Sequence, residues 1–168
     1  MTRRRFLAPW AYFACVTLPI AFVLGALVWI TEPWSQVEFT GPAVVVDGDT
    51  IKVKGITWRL EGIDAPELRQ PCLDAKHRCG VIAAVLLAEI VKGSLVSCRA
   101  TGTQSYNRMV GVCRMNGQDL GEIMVRNGLA YDWPRYSGGR YAAAMPRGEL
   151  MFERPWEWRA RNRDGGSR

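Results

Sequence analysis

Two short acidic motifs stand close together in this chain. One is Asp47-Gly48-Asp49-Thr50; the other is Arg59-Leu60-Glu61-Gly62-Ile63-Asp64-Ala65-Pro66-Glu67. Carboxylates gathered in one place repel one another, so they must be solvated or must share a cation. Carboxylate oxygens with backbone carbonyls are the ligands that a hard cation such as Ca²⁺ takes. Arg59 lies between the two motifs. Guanidinium groups and a metal beside carboxylates form the set that phosphoryl chemistry needs: the cations bind phosphate oxygens and stabilise developing charge, and a carboxylate activates water. Taken singly, Asp47-Gly48-Asp49 reads as an ordinary turn and Arg59 as a salt-bridge partner; the combination carries the chemical reading. His77 is the single histidine and falls in a cysteine-containing loop, where it reads as a surface or structural residue and not as a catalytic one.

The elements that must position these groups follow from local pattern. Residues 43–46 are an apolar, β-branched run, and 50–54 alternate Ile51 and Val53 with Lys52 and Lys54, the period of a half-buried strand. Gly55 turns the chain into a return strand over 56–60, so that residue 49 faces roughly residue 61. On that strand Trp58 and Leu60 share one face and Arg59 takes the other. The hairpin therefore brings Asp47, Asp49, Glu61, Asp64 and Glu67 to its open end. Pro66 forbids further strand. Residues 68–79 are a polar loop, and 81–92 a largely buried helix ended by Gly93. Strands are predicted over 95–100 and 108–115, with a loop over 101–107. A short helix follows, capped by Asp119 and stopped by Asn127-Gly128, and another short helical stretch over 141–145. The basic tail from Arg159 reads as frayed. Three strands, a helix, two strands and helices make an α+β chain, mainly β. Its expected form is the five-stranded Greek-key barrel called the OB-fold.

Together the two motifs resemble the staphylococcal nuclease (thermonuclease) family, and Tyr106-Asn107-Arg108 is similar to that family's Tyr-Gly-Arg. The resemblance runs from about residue 42 to 158, through Asn127-Gly128-Leu129-Ala130 to Pro155-Trp156-Glu157-Trp158. It implies an OB barrel with Asp49 and Asp64 as calcium ligands, the Ala65 carbonyl as a third, and Asp47 near the metal. It also implies Glu67 as general base, and Arg59 and Arg108 as the arginines on the scissile phosphate. The implied activity is Ca²⁺-dependent hydrolysis of DNA and RNA with little sequence preference, leaving 3′-phosphate ends. The rival reading is a non-catalytic OB module that binds nucleic acid or a protein partner. The chain departs from the family pattern at Gln104, where an Asp is usual, at Asn107 for Gly, where positive φ is expected, and at Ala65 for Thr. Tyr106, Tyr131, Trp133 and Tyr136 are candidates for stacking on bases.

Composition sets the remaining bounds. The chain has 168 residues, 48% hydrophobic and 23% charged, which excludes disorder throughout. Its net charge is +6, half of it from Arg3, Arg4 and Arg5. An excess so small reads as a solvated surface before it reads as a polyanion site. Residues 6–30 carry no charge, a stretch long enough for a membrane-spanning helix. With the arginines before it, the positive-inside rule places the rest of the chain outside the cytoplasm. The expected organisation is a cytoplasmic stub over 1–5, an anchor over 6–30, a linker over 31–41, the barrel domain over 42–158 and a flexible tail over 159–168. Cleavage of the apolar stretch as an export signal, with secretion, is the alternative. Cys15 lies in that stretch. Cys72, Cys79, Cys98 and Cys113 are an even set suited to an oxidising compartment; zinc ligation is the alternative, but the spacings are not Cys-x-x-Cys. Residues 98 and 113 are equidistant from the loop centre between Ser105 and Tyr106, so a hairpin would oppose them. The local pairing Cys72–Cys79 and Cys98–Cys113 is expected.

Overall fold

The computed structural model describes residues 37–163. The proposed stub, anchor and Cys15 lie outside the described residues, as do 31–36 and 164–168. Among the described residues no helix is long and apolar enough to cross a membrane.

Strands β1 (Glu38–Asp47), β2 (Thr50–Val53) and β3 (Ile56–Leu60) form a meander. After the two-residue strand β4 (Ile63–Asp64) and a long loop comes helix α1 (Cys79–Val91). Strands β5 (Leu95–Ser105) and β6 (Arg108–Met115) make the second hairpin, extended by β7 (Gln118–Asp119). Helix α2 (Leu120–Arg126), strand β8 (Tyr131–Asp132), helix α3 (Pro134–Ser137), a 3₁₀ turn (Ala142–Ala144) and helix α4 (Pro155–Arg163) complete the order.

The sheet runs β3-β2-β1-β5-β6-β7, and a parallel pairing of β3 with β6 closes five of these strands into a mixed barrel, the arrangement an OB-fold requires. Closure follows from composition. Trp58 and Leu60 of β3 point inward with Ile51, Val53, Val96, Leu87, Leu120 and Met124, all buried, and Arg59 takes the outer face, as the alternation predicts. Cys98 pairs with Cys113 in the β5–β6 register, and the two form a disulfide inside the core. Cys72–Cys79 is the second disulfide, in a satellite cluster with Leu150 and Phe152.

Several expectations shift. The β2–β3 turn is centred between Lys54 and Gly55, both at positive φ, so Leu60, not residue 61, faces Asp49 and its N–H donates to the Asp49 carbonyl at 2.8 Å. Strand β1 begins at Glu38 and takes in the end of the expected linker. Strand β5 runs on through the expected 101–107 loop, with a register irregularity between Ala100 and Gln104. After Gly62 the chain leaves the barrel sheet and enters a second, two-stranded one: Ile63 pairs with Asp132, and Asp64 with Tyr131. Asp119 does cap α2, accepting from the Gly121 N–H at 2.8 Å. Residues 159–163 are not part of a frayed tail but belong to α4. Its helical phase puts Trp156 and Arg159 on one side, where packing outweighs the polar composition that suggested fraying.

Candidate active site

The Asp47-Gly48-Asp49 turn holds its shape through close packing. A Cβ on Gly48 would stand 2.7 Å from the Ala65 Cβ and 2.9 Å from the Ala83 Cβ, so only glycine lets the turn lie against α1 and the Ala65 segment. Asp49 and Asp64 are buried, at 4% and 0% exposure, and not solvated as an isolated acidic cluster would be. Arg59 spans them. Its Nη1 donates to Asp49 Oδ1 and its Nη2 to Asp64 Oδ1, each at 2.8 Å. Asp49 Oδ1 also accepts from the Thr50 hydroxyl, and Asp49 Oδ2 from the Ala65 N–H, both at 3.1 Å. Burial would lower the Arg59 pKa, but the charges of Asp49 and Asp64 outweigh it and hold the guanidinium charged.

The acidic end is electrostatically loaded. Burial first, then the charge of Asp49, pushes the Asp47 carboxyl up from 3.8 to about 6. Burial also raises Asp64, against the opposing pull of its bond to Arg159. Asp47 Oδ1 accepts from the Asp49 N–H at 3.1 Å.

The carboxylates of Asp47, Asp49 and Asp64 are the donor class of a hard divalent cation, which would relieve this repulsion; in donor chemistry the set fits Ca²⁺. Among the described residues, however, no three acidic, histidine or cysteine side chains converge closely enough to hold an ion as they stand. Guanidinium groups bond both Asp64 oxygens: Arg59 takes Oδ1, and Arg159 Nη2 takes Oδ2 at 2.7 Å.

Arg108 approaches from β6 and makes its bonds to neutral oxygens: Nη1 to the Thr50 hydroxyl at 3.2 Å, Nη2 to the Ser105 hydroxyl at 3.3 Å. The positive φ in its loop falls on Tyr106, not on Asn107. Tyr106 is 93% exposed at the rim. Glu67 Oε1 accepts from Arg159 Nη1 at 2.9 Å. The Glu67 carbonyl leans on the start of α1, where a Cβ on Gly80 would stand 1.8 Å from it. Glu61 lines the same cleft as Asp47, Asp49 and Glu67, as expected, but its side chain pairs with Arg140 at 3.0 Å.

A cleft of about 1030 Å³ is lined by Asp47, Asp49, Arg59, Glu67, Tyr106 and Arg108 and, from the C-terminal part of the chain, by Trp133, Tyr136, Trp156 and Arg159. Trp133 stacks on Trp156 with centroids 5.5 Å apart and planes 12° from parallel. Tyr131 packs edge-on against Phe152 and Trp156, and its hydroxyl donates to the Phe152 carbonyl at 3.2 Å. Sequence reasoning missed Arg159, which it assigned to the tail. The signal was the spacing of Trp156 and Arg159 behind Pro155, one turn of a helix with an aromatic to bury.

A family model described as staphylococcal nuclease homologue matches residues 57–147. That span holds Arg59, Asp64, Glu67 and Arg108, but neither Asp49 nor Arg159. The succinoglycan biosynthesis protein ExoI of Rhizobium meliloti (strain 1021) is 36% identical over 134 residues, covering 77% of this chain and 70% of its own length. The staphylococcal-like nuclease CAN1 of Arabidopsis thaliana is 28% identical over 133 residues, covering 70% of this chain and 37% of its own. The probable staphylococcal-like nuclease CAN2 of Oryza sativa subsp. japonica is 28% identical over 126 residues, covering 69% of this chain and 32% of its own. The chain thus spans about a third of the length of the plant proteins it matches.

Proposed function

We propose that this chain, which belongs to the family of staphylococcal nuclease homologues, is a Ca²⁺-dependent nuclease that hydrolyses DNA and RNA phosphodiester bonds and leaves 3′-phosphate ends. One observation carries the reading: Arg59, Arg108 and Glu67 line a single cleft beside Asp47 and Asp49. The names of the plant relatives, staphylococcal-like nucleases, point the same way.

A phosphodiester is a monoanion whose non-bridging oxygens gain charge as water attacks phosphorus. Arg108 bonds neutral oxygens, so it can turn to a phosphate without leaving a buried charge unpaired. Arg59 is fixed by two carboxylates and offers a preorganised cation with little reorganisation. Glu67 takes the proton from the attacking water, the P–O5′ bond breaks, and the leaving 5′ oxygen takes a proton from solvent, to which Glu67 returns its own. Ca²⁺, held by Asp49, Asp64 and the Ala65 carbonyl with Asp47 nearby, would polarise a phosphate oxygen as a Lewis acid. These groups address phosphate, not base edges, which supports weak base preference; Tyr106 at the rim is placed to stack on a base. The two disulfides support a domain that matures outside the cytoplasm, anchored through residues 6–30 or released after cleavage there.

The second reading, a non-catalytic OB module, draws on the engagement of both Asp64 oxygens by guanidinium groups. One assay separates the two. The full chain is incubated with single-stranded DNA and with RNA, in Ca²⁺ and in excess chelator. Cleavage in Ca²⁺ alone, with ends that prime a polymerase only after phosphatase treatment, is expected. Binding without cleavage in either condition establishes the module.

A further inference from the structure

The loop that carries Glu67 is tied to the C-terminal segment at two independent points. Gln70 is fully buried; its Oε1 accepts from the Glu67 N–H at 3.3 Å and its Nε2 donates to the Glu153 carbonyl at 2.7 Å. Arg159 makes the second tie, with Nη1 on Glu67 Oε1 at 2.9 Å and Nη2 on Asp64 Oδ2 at 2.7 Å. A guanidinium that bonds two different carboxylates through two nitrogens fixes their separation as well as their orientation, which a lysine ammonium does less well.

The helix that presents Arg159 is itself held. Trp156 stacks on Trp133, and the Arg159 guanidinium lies over the same Trp133 ring, 5.7 Å from its centroid. Arg159 follows Trp156 by three residues, so the stack that docks the helix also aims the arginine into the cleft. The side chain that most needs such support is Glu67, whose side chain is 40% exposed and otherwise has several rotamers open to it.

We propose that Arg159 is a positioning residue for phosphodiester cleavage: it ties Glu67 to Asp64 so that the carboxylate stands ready for the attacking water before substrate arrives. The bond takes one Glu67 oxygen and leaves proton uptake to the other. This inference rests on the nuclease reading above. It differs from a direct role on phosphate, in which Arg159 would leave both carboxylates when nucleic acid binds.

The test uses the full chain with Arg159→Gln, Arg159→Lys, Glu67→Gln and the double variant Glu67→Gln/Arg159→Gln. Steady-state kinetics on a single-stranded oligodeoxynucleotide in Ca²⁺ are combined with amide hydrogen exchange of residues 66–70 in metal-free, nucleic-acid-free protein. Misplacing a reacting group by about 1 Å costs on the order of a hundredfold, so Arg159→Gln should lower kcat by about that much. KM should move by less than about threefold, since uniform binding is untouched. Arg159→Lys, which keeps the charge, should recover part of kcat. In the Glu67→Gln background, Arg159→Gln should cost less than about twofold more, because residues acting as one unit are not additive. Exchange of 66–70 should quicken in Arg159→Gln. A raised KM with unchanged kcat would assign Arg159 to the substrate and overturn the proposal, as would fully additive losses or unchanged exchange. If the unmutated chain does not cleave, the nuclease reading fails by itself, and the exchange result alone decides whether Arg159 orders the Glu67 loop.

Discussion

One side of the cleft takes Asp47, Asp49 and Arg59 from a single hairpin, with Thr50 and Asp64 bonded to them; the other brings Trp133, Trp156 and Arg159 together from the last third of the chain. On the hairpin wall the ion pairs join residues 10 and 5 positions apart, and the β2–β3 register that sets Thr50 opposite Arg59 fixes their geometry. On the C-terminal wall Arg159 reaches Glu67 and Asp64 across 92 and 95 positions. Closing a loop of that length costs roughly 2 kcal/mol more than closing one of ten residues. The Trp133–Trp156 stack can offset about 0.5–1.5 kcal/mol of that beyond its burial. The hairpin wall is therefore integral to the barrel, and the C-terminal wall is the one expected to open first in local unfolding.

The largest expected effect tests the hairpin side. Arg59→Ala leaves Asp49 and Asp64, both buried, without the guanidinium they share. Stability should fall by about 3–5 kcal/mol, the range for breaking a buried ion pair from one side. Turnover should fall on the order of 10²–10³ with the loss of a transition-state donor. Urea unfolding beside kinetics checks both. A variant as stable as the parent would show that the pairs are dispensable and that the two walls do not differ as argued.

How much of this was legible in the sequence follows the same division. The alternation at Trp58-Arg59-Leu60 placed the arginine opposite the core because strand period is a local property. Cys98 does face Cys113, but not by the expected symmetry: the turn pairs Ser105 with Arg108 and is centred between Tyr106 and Asn107, and the irregularity between Ala100 and Gln104 restores the 98–113 register. The register at Asp49 was off by one residue because two residues, Lys54 and Gly55, both take positive φ where a single glycine was expected to turn the chain. Arg159 was not legible. A polar stretch ending in Arg, Gly and Ser reads as a frayed tail, and it is contacts from distant residues, Trp133 and Tyr131 on Trp156 and Arg69 on Trp158, that make α4 worth ordering. Burial of Asp49 was also hidden, since acidic residues are almost never fully buried unless paired, and the pairing is a tertiary fact.

The disulfides sharpen the comparison at a smaller scale. Cys98–Cys113 lies in the barrel core and closes 15 residues; Cys72–Cys79 closes 7 and packs with Leu150 and Phe152 just before α4. Replacing the first pair by alanine should cost about 3 kcal/mol by chain entropy, and the second about 2 kcal/mol. The location of the effect should differ more than its size. Loss of Cys98–Cys113 should lower the midpoint of the global transition, whereas loss of Cys72–Cys79 should speed hydrogen exchange over residues 66–80 and 150–159 ahead of global unfolding. Equal acceleration throughout in both variants would show that the C-terminal wall unfolds with the barrel as one unit.

The smallest effect belongs to the acidic edge of the hairpin. Asp47 keeps its proton to about pH 6 in the folded chain, against an ordinary value of 3.8. Between those values the folded state binds more protons than the unfolded one, so stability is highest below pH 3.8 on this account and falls as pH rises through about 6. Asp47→Asn removes the ionisation but keeps an oxygen able to accept the Asp49 N–H that Asp47 now takes. Without divalent cations the variant should lose the Asp47 share of this downward slope, Asp64 keeping its own, and gain stability at pH 7. The full shift corresponds to at most ~3 kcal/mol, and partial exposure of the carboxyl reduces the expected gain to ~1 kcal/mol. Urea titrations at several pH values in chelator would measure it. Added Ca²⁺ should make the slope of the parent shallower and leave that of the variant nearly unchanged, since a cation beside Asp47 favours its charged form against both the burial and the Asp49 charge that raise its pKa. A parent slope that survives saturating Ca²⁺ unchanged would mean that no cation stands beside Asp47, and that the acidic edge of this wall takes no part in metal binding.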